Sequence, residues 1–305
     1  MNAQPLSIPA GPEALSGTID FSRPFIPEEL TAFYRTAAYA TLTPPQRLRY
    51  NQLYALYFNE QTIFFEQSLA RNVLGHFIAQ NLPEDLKAGL RQFIEEEEQH
   101  TRMFRRLNQQ CASEIYGRAD YYFIQVPPVA GKMLDAISRR PQWFPFLLWF
   151  MHLQEERALF FGRTFMKFAD LLEPQFVAAQ RKHLADEIGH VRWDEALLDR
   201  VWSGTNPLLR RVNIRIFAWM MGEYFTKPKR AALRVLAAWV NEFPALQPQY
   251  AEFSSQLRAL GSDPAFRHSL YCPENVPLTF KRFDQFPEFG SLTRVIPGYL
   301  PGGNS

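Results

Sequence analysis

From about residue 45 to about residue 260, apolar side chains recur every three to four positions, the period of a helix with one buried face. Thr43-Pro44-Pro45 reads as a cap followed by proline in the first turn, and it opens a helix over about 45–80 that ends at Asn81-Leu82-Pro83. A second helix over about 83–115 leads into an irregular stretch at 116–127 and a short helix at 128–139. A third long helix is predicted over about 141–171, and Leu172-Glu173-Pro174 starts a fourth that reaches about 203. Ser203-Gly204 and Asn206-Pro207 punctuate its end, and shorter helices follow at about 207–226, 228–242 and 247–260. No run of alternating β-branched residues is long enough to build a sheet. The expected fold is all-α, a four-helix bundle with additional C-terminal helices. It should comprise an arm over 1–25, the bundle over 26–205 with its crossover at about 116–140, covering helices over 206–270 and an irregular tail over 271–305, one domain in all.

Two of these helices carry charges where their core stripes call for apolar side chains. In the second, positions 86, 90, 93, 97, 100, 104 and 107 read Leu, Leu, Phe, Glu, His, Phe, Leu. In the fourth, positions 176, 180, 183, 187, 190, 194, 197 and 201 read Phe, Gln, His, Glu, His, Asp, Leu, Val. An unpaired ionised group in a core costs several kcal/mol, so a run of them needs a compensating partner. Carboxylates and imidazoles together suit iron or manganese. Bundles that hold two such ions take a Glu from each of two helices and a Glu-x-x-His from each of the other two. Glu97/His100 and Glu187/His190 supply the two Glu-x-x-His units.

An internal repeat points to the lone glutamates. Glu66 precedes Glu97 by 31 residues, and Glu156 precedes Glu187 by the same number. Each midpoint falls beside a helix-starting proline, Pro83 or Pro174, so each pair would lie level across an antiparallel hairpin. Glu155 competes with Glu156 for the third-helix position, and the equal spacing favours Glu156. Two ferrous ions would set four positive charges against the four carboxylates. His183 shares the face of Glu187 and His190 and is a seventh candidate ligand. His152, one turn before Glu156, reads as a supporting group or pocket wall, whereas His76 and His268 have no partner pattern. Glu96 and Asp186, each just before a candidate ligand glutamate, can either hold the outer N–H of a ligand imidazole or face solvent.

Composition narrows the alternatives. Lys and Arg number 33 against 31 Asp and Glu, which argues against a dedicated nucleic-acid binder. Two cysteines, Cys111 and Cys272, make neither a disulfide framework nor a redox motif, and reduced thiols fit a cytoplasmic protein. The first twenty residues have no basic segment followed by an apolar run, so no signal peptide is read. No apolar run approaches the roughly 20 residues of a membrane span.

The segment His183-Leu184-Ala185-Asp186-Glu187-Ile188-Gly189-His190, with Glu97-Glu98-Gln99-His100 and two lone glutamates, resembles the AurF-type p-aminobenzoate N-oxygenase family over about residues 45–200. The resemblance implies a ferritin-like bundle with two iron ions held by Glu66, Glu97, His100, Glu156, His183, Glu187 and His190. It further implies activation of O2 and oxygenation of an amine, with an aryl amine expected, toward a hydroxylamine, nitroso or nitro product. No cysteine cluster or GxGxxG motif is present to deliver electrons, so an external reductase or ferredoxin-like donor is expected, and the assembly could be a homodimer. Rival readings are another di-iron oxidation such as C-hydroxylation or desaturation, an iron-storing bundle, and a bundle without metal. Phe104 stands where a radical-generating reductase subunit has tyrosine, which argues against that relative.

Overall fold

The computed structural model describes residues 17–228 and 230–302. Its longer helices are α1 (Pro44–Phe65), α2 (Arg71–Ile78), α3 (Glu84–Cys111), α4 (Pro128–Ser138), α5 (Phe146–Lys167), α6 (Pro174–Gly204), α7 (Pro207–Met220), α8 (Arg230–Glu242), α9 (Tyr250–Ala259), α10 (Pro264–Leu270) and α11 (Pro277–Phe283). No strand occurs among the described residues, and no helix is long and apolar enough to cross a membrane. Thr43 closes a capping box with Gln46 ahead of Pro44 and Pro45, as its sequence suggests. α1 does not end at Phe65 but passes through a π-helical turn, Glu66–Ala70, directly into α2.

α1 with α2, α3, α5 and α6 form the bundle. The second and fourth helix stripes face inward as expected: Leu86, Leu90, Phe93, Glu97, His100, Phe104 and Leu107 are all buried, as are Phe176, Gln180, His183, Glu187, His190, Asp194 and Leu197. Two glycines permit close helix approach. A Cβ at Gly89 would strike the Trp193 ring, and one at Gly162 would press on Leu184. The inward charges lie between two apolar clusters. One gathers Leu56, Ile63, Phe104, Phe165 and Trp239, and the other Val73, Phe93, Trp149, Trp202 and Phe283.

The flanking segments are tied to this frame. Residues 1–16 of the expected arm lie outside the described residues. Beyond them, Arg23 donates to the carbonyls of Asp170 and Leu172, and Phe25 stacks on Phe176 at 4.4 Å. Within the crossover, buried Glu60 accepts from the Tyr116 hydroxyl and from the backbone N–H of Tyr122, Phe123 and Ile124. α8 packs along α1, with Trp239 Nε1 donating to the Gln46 carbonyl at 2.9 Å.

The expectation of an irregular tail over 271–305 is corrected. α11 and a 3-10 helix at Pro287–Arg294 lie within it, each with proline in the first turn. Phe280, Phe283, Phe289, Leu292, Ile296 and Tyr299 are buried there. Aromatic packing on Trp149 holds this segment, with Phe289 at 4.6 Å and Phe283 at 5.4 Å between ring centroids. Elements of seven or eight residues are too short for periodicity to reveal.

Candidate metal centre

Glu66 stands twelve residues before the end of its helix at Ile78, and Glu97 thirteen after the start of α3 at Glu84. In the second hairpin, Glu155 stands twelve residues before the end of α5 at Lys167, and Glu187 thirteen after Pro174. The hairpins therefore match arm for arm. They differ only in the connection, which is one residue longer in the second. Equal sequence spacing thus selected the wrong neighbour, and the expectation for Glu156 is corrected. Glu155 reaches the centre. Glu156 points to the other side of α5, where it accepts the backbone N–H of Leu278 at 2.6 Å and Thr279 at 2.7 Å. Its carboxylate caps the N-terminus of α11, which favours a negative charge.

The other six expected residues come together with Glu155 in two adjoining groups. Glu66, His100 and His183 form one, and Glu97, Glu155, Glu187 and His190 the other. Within each group the ligand atoms lie within 4.8 Å of one another, and all seven residues are buried. His183 Nε2 is 3.3 Å from Glu66 and 2.8 Å from Glu187, so Glu187 bridges the two groups. His190 Nδ1 is 3.4 Å from Glu97 and 3.5 Å from both Glu155 and Glu187.

The two Glu-x-x-His units brace one another. His100 turns Nδ1 inward and shares its outer nitrogen, Nε2, with Asp186 at 2.9 Å. His190 does the same with Glu96 at 3.0 Å. Each imidazole is thus held by the acid that precedes the glutamate of the other helix. Lys182 pairs with Asp186 and Gln92 with Glu96, while Thr101 donates to Glu66 Oε2 at 3.0 Å. Such outer bonds fix ring orientation and leave the inner nitrogen free to ligate.

Apart from the approach of His183 to Glu66 and Glu187, the inner atoms make no well-aligned hydrogen bond: Glu66 Oε1, both oxygens of Glu97 and Glu187, Glu155 Oε1, and Nδ1 of His100 and His190. Buried polar atoms are normally paired, so this convergence of acceptors on one spot is the arrangement a pair of cations satisfies. The electrostatics say the same. Burial, with the Glu66 and Glu155 carboxylates adding to it, holds Glu97 well above the usual carboxylate range. Burial and the Glu187 charge do the same to Glu155. Burial also works against ionised Glu187, but the His183 and His190 imidazoles outweigh it and hold this carboxyl low. Burial lowers the His183 imidazole's proton affinity, yet Glu187 and Glu66 prevail and lift it to about 10. These residues fit two divalent ions in charge and donor type.

His152 touches neither group. It is buried on α5, with both ring nitrogens unpartnered, and burial, reinforced by the Arg282 charge, lowers it to about 3. His76 meets the Gln80 side chain at 2.6 Å and the edge of the Phe77 ring at 5.4 Å between centroids, and belongs to neither group.

A cavity of about 110 Å³ opens onto Glu66, Glu97, Glu155 and His183. Tyr54, Phe58, Phe65 and Phe161 wall it with aromatic rings. Gln180 and Arg157 also line it. The Arg157 guanidinium lies 4.7 Å from the Phe161 ring centroid and has no carboxylate within ion-pair distance among the described residues. No motif in the sequence marks it, because an arginine on the flank of a helix reads as solvated.

An all-helical bundle with a buried glutamate and histidine cluster able to hold metal, opening onto an aromatic cavity, is the arrangement of a ferritin-like helical protein with a candidate metal centre. The sequence model of the AurF p-aminobenzoate N-oxygenase family matches residues 13–256, and the chain belongs to that family. The comparison with curated proteins gave no match.

Proposed function

We propose that the chain is a di-iron N-oxygenase acting on an aryl amine. The observation that carries this reading is the set of unpartnered inward atoms on Glu66, Glu97, His100, Glu155, Glu187 and His190, joined by His183, at the end of an aromatic cavity. Two iron ions held by these seven residues would supply O2 activation and oxygen transfer. The rest of the work falls to the protein. The aromatic walls exclude water and sandwich an arene, so that its amine faces the ligand side of the cavity. Arg157 offers its guanidinium to an anionic group on the ring, such as the carboxylate of the p-aminobenzoate in the family's name. Asp186 and Glu96 hold His100 and His190 in the tautomer that leaves Nδ1 as the donor atom.

The chemistry balances with an external reductant. One oxygen atom enters the amine N–H bond to give a hydroxylamine, and the other leaves as water with two electrons and two protons. A separate reductase or ferredoxin-like protein supplies the electrons. The test is anaerobic loading with Fe(II), then oxygen and a panel of amines with product analysis by mass spectrometry. Mass gains of one oxygen on an aryl amine are expected, and their loss in His183→Ala together with disturbance of one iron. Turnover unchanged by His183→Ala, or oxygen inserted only at carbon, would overturn the N-oxygenase reading.

A further inference from the structure

One turn of α5 faces two structures at once. Glu155 points into the metal centre, and its neighbours hold the C-terminal segment. Gln154 Nε2 and Arg157 Nη1 both donate to the Tyr271 hydroxyl at 3.3 Å, and Glu156 caps Leu278 and Thr279. The centroid of the Tyr271 ring also lies 4.8 Å from the Arg157 guanidinium, and that of the Phe161 ring 4.7 Å. Tyr271 is fully buried and does not itself line the cavity. Its backbone is pinned as well. A Cβ at Gly298 would fall 2.0 Å from the Tyr271 carbonyl oxygen, so only glycine lets the two strands of chain approach this closely. All of these C-terminal residues lie beyond the family-matched region, which ends at residue 256.

We propose that Tyr271 is a positioning residue for the oxygenation site: it holds the Arg157 guanidinium at the cavity wall, where Arg157 selects an anionic group on the substrate. The proposal rests on the aryl-amine reading above. An arginine with four rotatable bonds would otherwise swing toward water or a surface carboxylate. A ring beside its face and a hydroxyl oxygen on one N–H remove that freedom while leaving the other N–H groups to bind a ligand. The C-terminal segment then belongs to the substrate site, and its sequence sets the selectivity of this chain within its family.

The test measures binding of 4-aminobenzoate and its neutral isostere 4-aminobenzamide to the iron-loaded, oxygen-free protein by calorimetry. The wild type should prefer the carboxylate, and Arg157→Gln should abolish the preference. Tyr271→Leu should weaken 4-aminobenzoate by roughly three- to tenfold, the range of a cation–π contact plus a charged hydrogen bond. It should leave 4-aminobenzamide unchanged. Tyr271→Phe, which keeps the ring, should recover part of that loss. In the Arg157→Gln background, Tyr271→Leu should have no further effect. Equal weakening of both ligands by Tyr271→Leu, undiminished weakening in the Arg157→Gln background, or a wild type indifferent to the carboxylate would each overturn the role. The two readings fail separately. Selective binding without amine oxidation sinks the oxygenase assignment and leaves Tyr271 in place, whereas amine oxidation without carboxylate preference does the reverse.

Discussion

Adjacent residues with opposite duties show how finely the helix phase decides chemistry. Glu155 faces the ligand cluster, while Glu156, about 100° further round α5, caps α11 across the helix. Glu155→Gln should lower bound metal, read by metal analysis after Fe(II) or Mn(II) loading. Glu156→Gln should leave metal stoichiometry intact and cost about 1–3 kcal/mol of stability, the value of two charge-assisted backbone bonds. Loss of metal from Glu156→Gln with Glu155→Gln unaffected would reverse the assignment. The sequence could not separate the two, because both faces of α5 are buried. Glu155 and Leu148 face the bundle, while Trp149 and Glu156 face the C-terminal segment. His152 makes a second residue-level prediction. Its imidazole is lowered from 6.5 to about 3, chiefly by burial, so the fold holds it neutral. The unfolded chain takes up a proton below about pH 6.5 that the fold refuses, so stability is full above that pH and falls as pH drops toward 3, by up to about 1.4 kcal/mol per unit. In urea unfolding of the metal-free protein, His152→Gln should lose roughly 2 kcal/mol less than the wild type between pH 6.5 and 5. Parallel acid limbs for the two proteins would show that His152 is protonated in the fold.

Helices long enough to show a full stripe were legible, as was the short α4, whereas the π-helical turn and the elements of the C-terminal tail were not. The stripe Leu56, Asn59, Ile63, Glu66, Ala70, Val73 and Phe77 is buried along its whole length, although a π-helical turn lies within it. Six of the seven expected ligands converge because their stripes are apolar above and below them, which leaves one inward face per helix. The π turn itself carried no signal, nor did Glu60, whose partners lie more than fifty residues away in the crossover. Such long-range hydrogen bonds leave no trace in local periodicity. The π turn has a consequence for the centre, since it adds one residue between α1 and α2 and begins at Glu66. π-Bulges commonly mark functional sites for this reason. Deleting the exposed Gln67 should convert the turn to regular α-helix and rotate Glu66 out of register with His100 and His183. Circular dichroism should show unchanged helicity, while bound metal falls below two ions per chain. Retention of both ions would mean that the extra residue has no part in placing Glu66.

At the scale of the whole molecule, two apolar clusters enclose a polar layer that the protein cannot satisfy by itself. The clusters supply the stability, and the layer between them draws on it. Four carboxylates packed together repel, and the elevated proton affinities of Glu97 and Glu155, set mainly by burial, record that strain. Metal ions would relieve it, so bound metal should be linked to folding through mass action, about 2.7 kcal/mol at a hundredfold excess over the dissociation constant. The same reasoning predicts a crossing of stabilities. Glu97→Gln removes from the metal-free protein a carboxyl whose ionisation burial and its carboxylate neighbours oppose, and should raise its melting temperature by a few degrees, since the folded state no longer has to keep an acid from ionising. The same substitution removes a candidate ligand, so the rise in melting temperature on adding Mn(II) should shrink well below that of the wild type. Without metal the variant should be the more stable protein, and with metal the less stable. Calorimetric melts of both proteins, with a chelator and with saturating Mn(II), measure all four values. If Glu97→Gln lowers the melting temperature equally in both conditions, Glu97 is an ordinary packed core residue and the polar layer is not organised around metal.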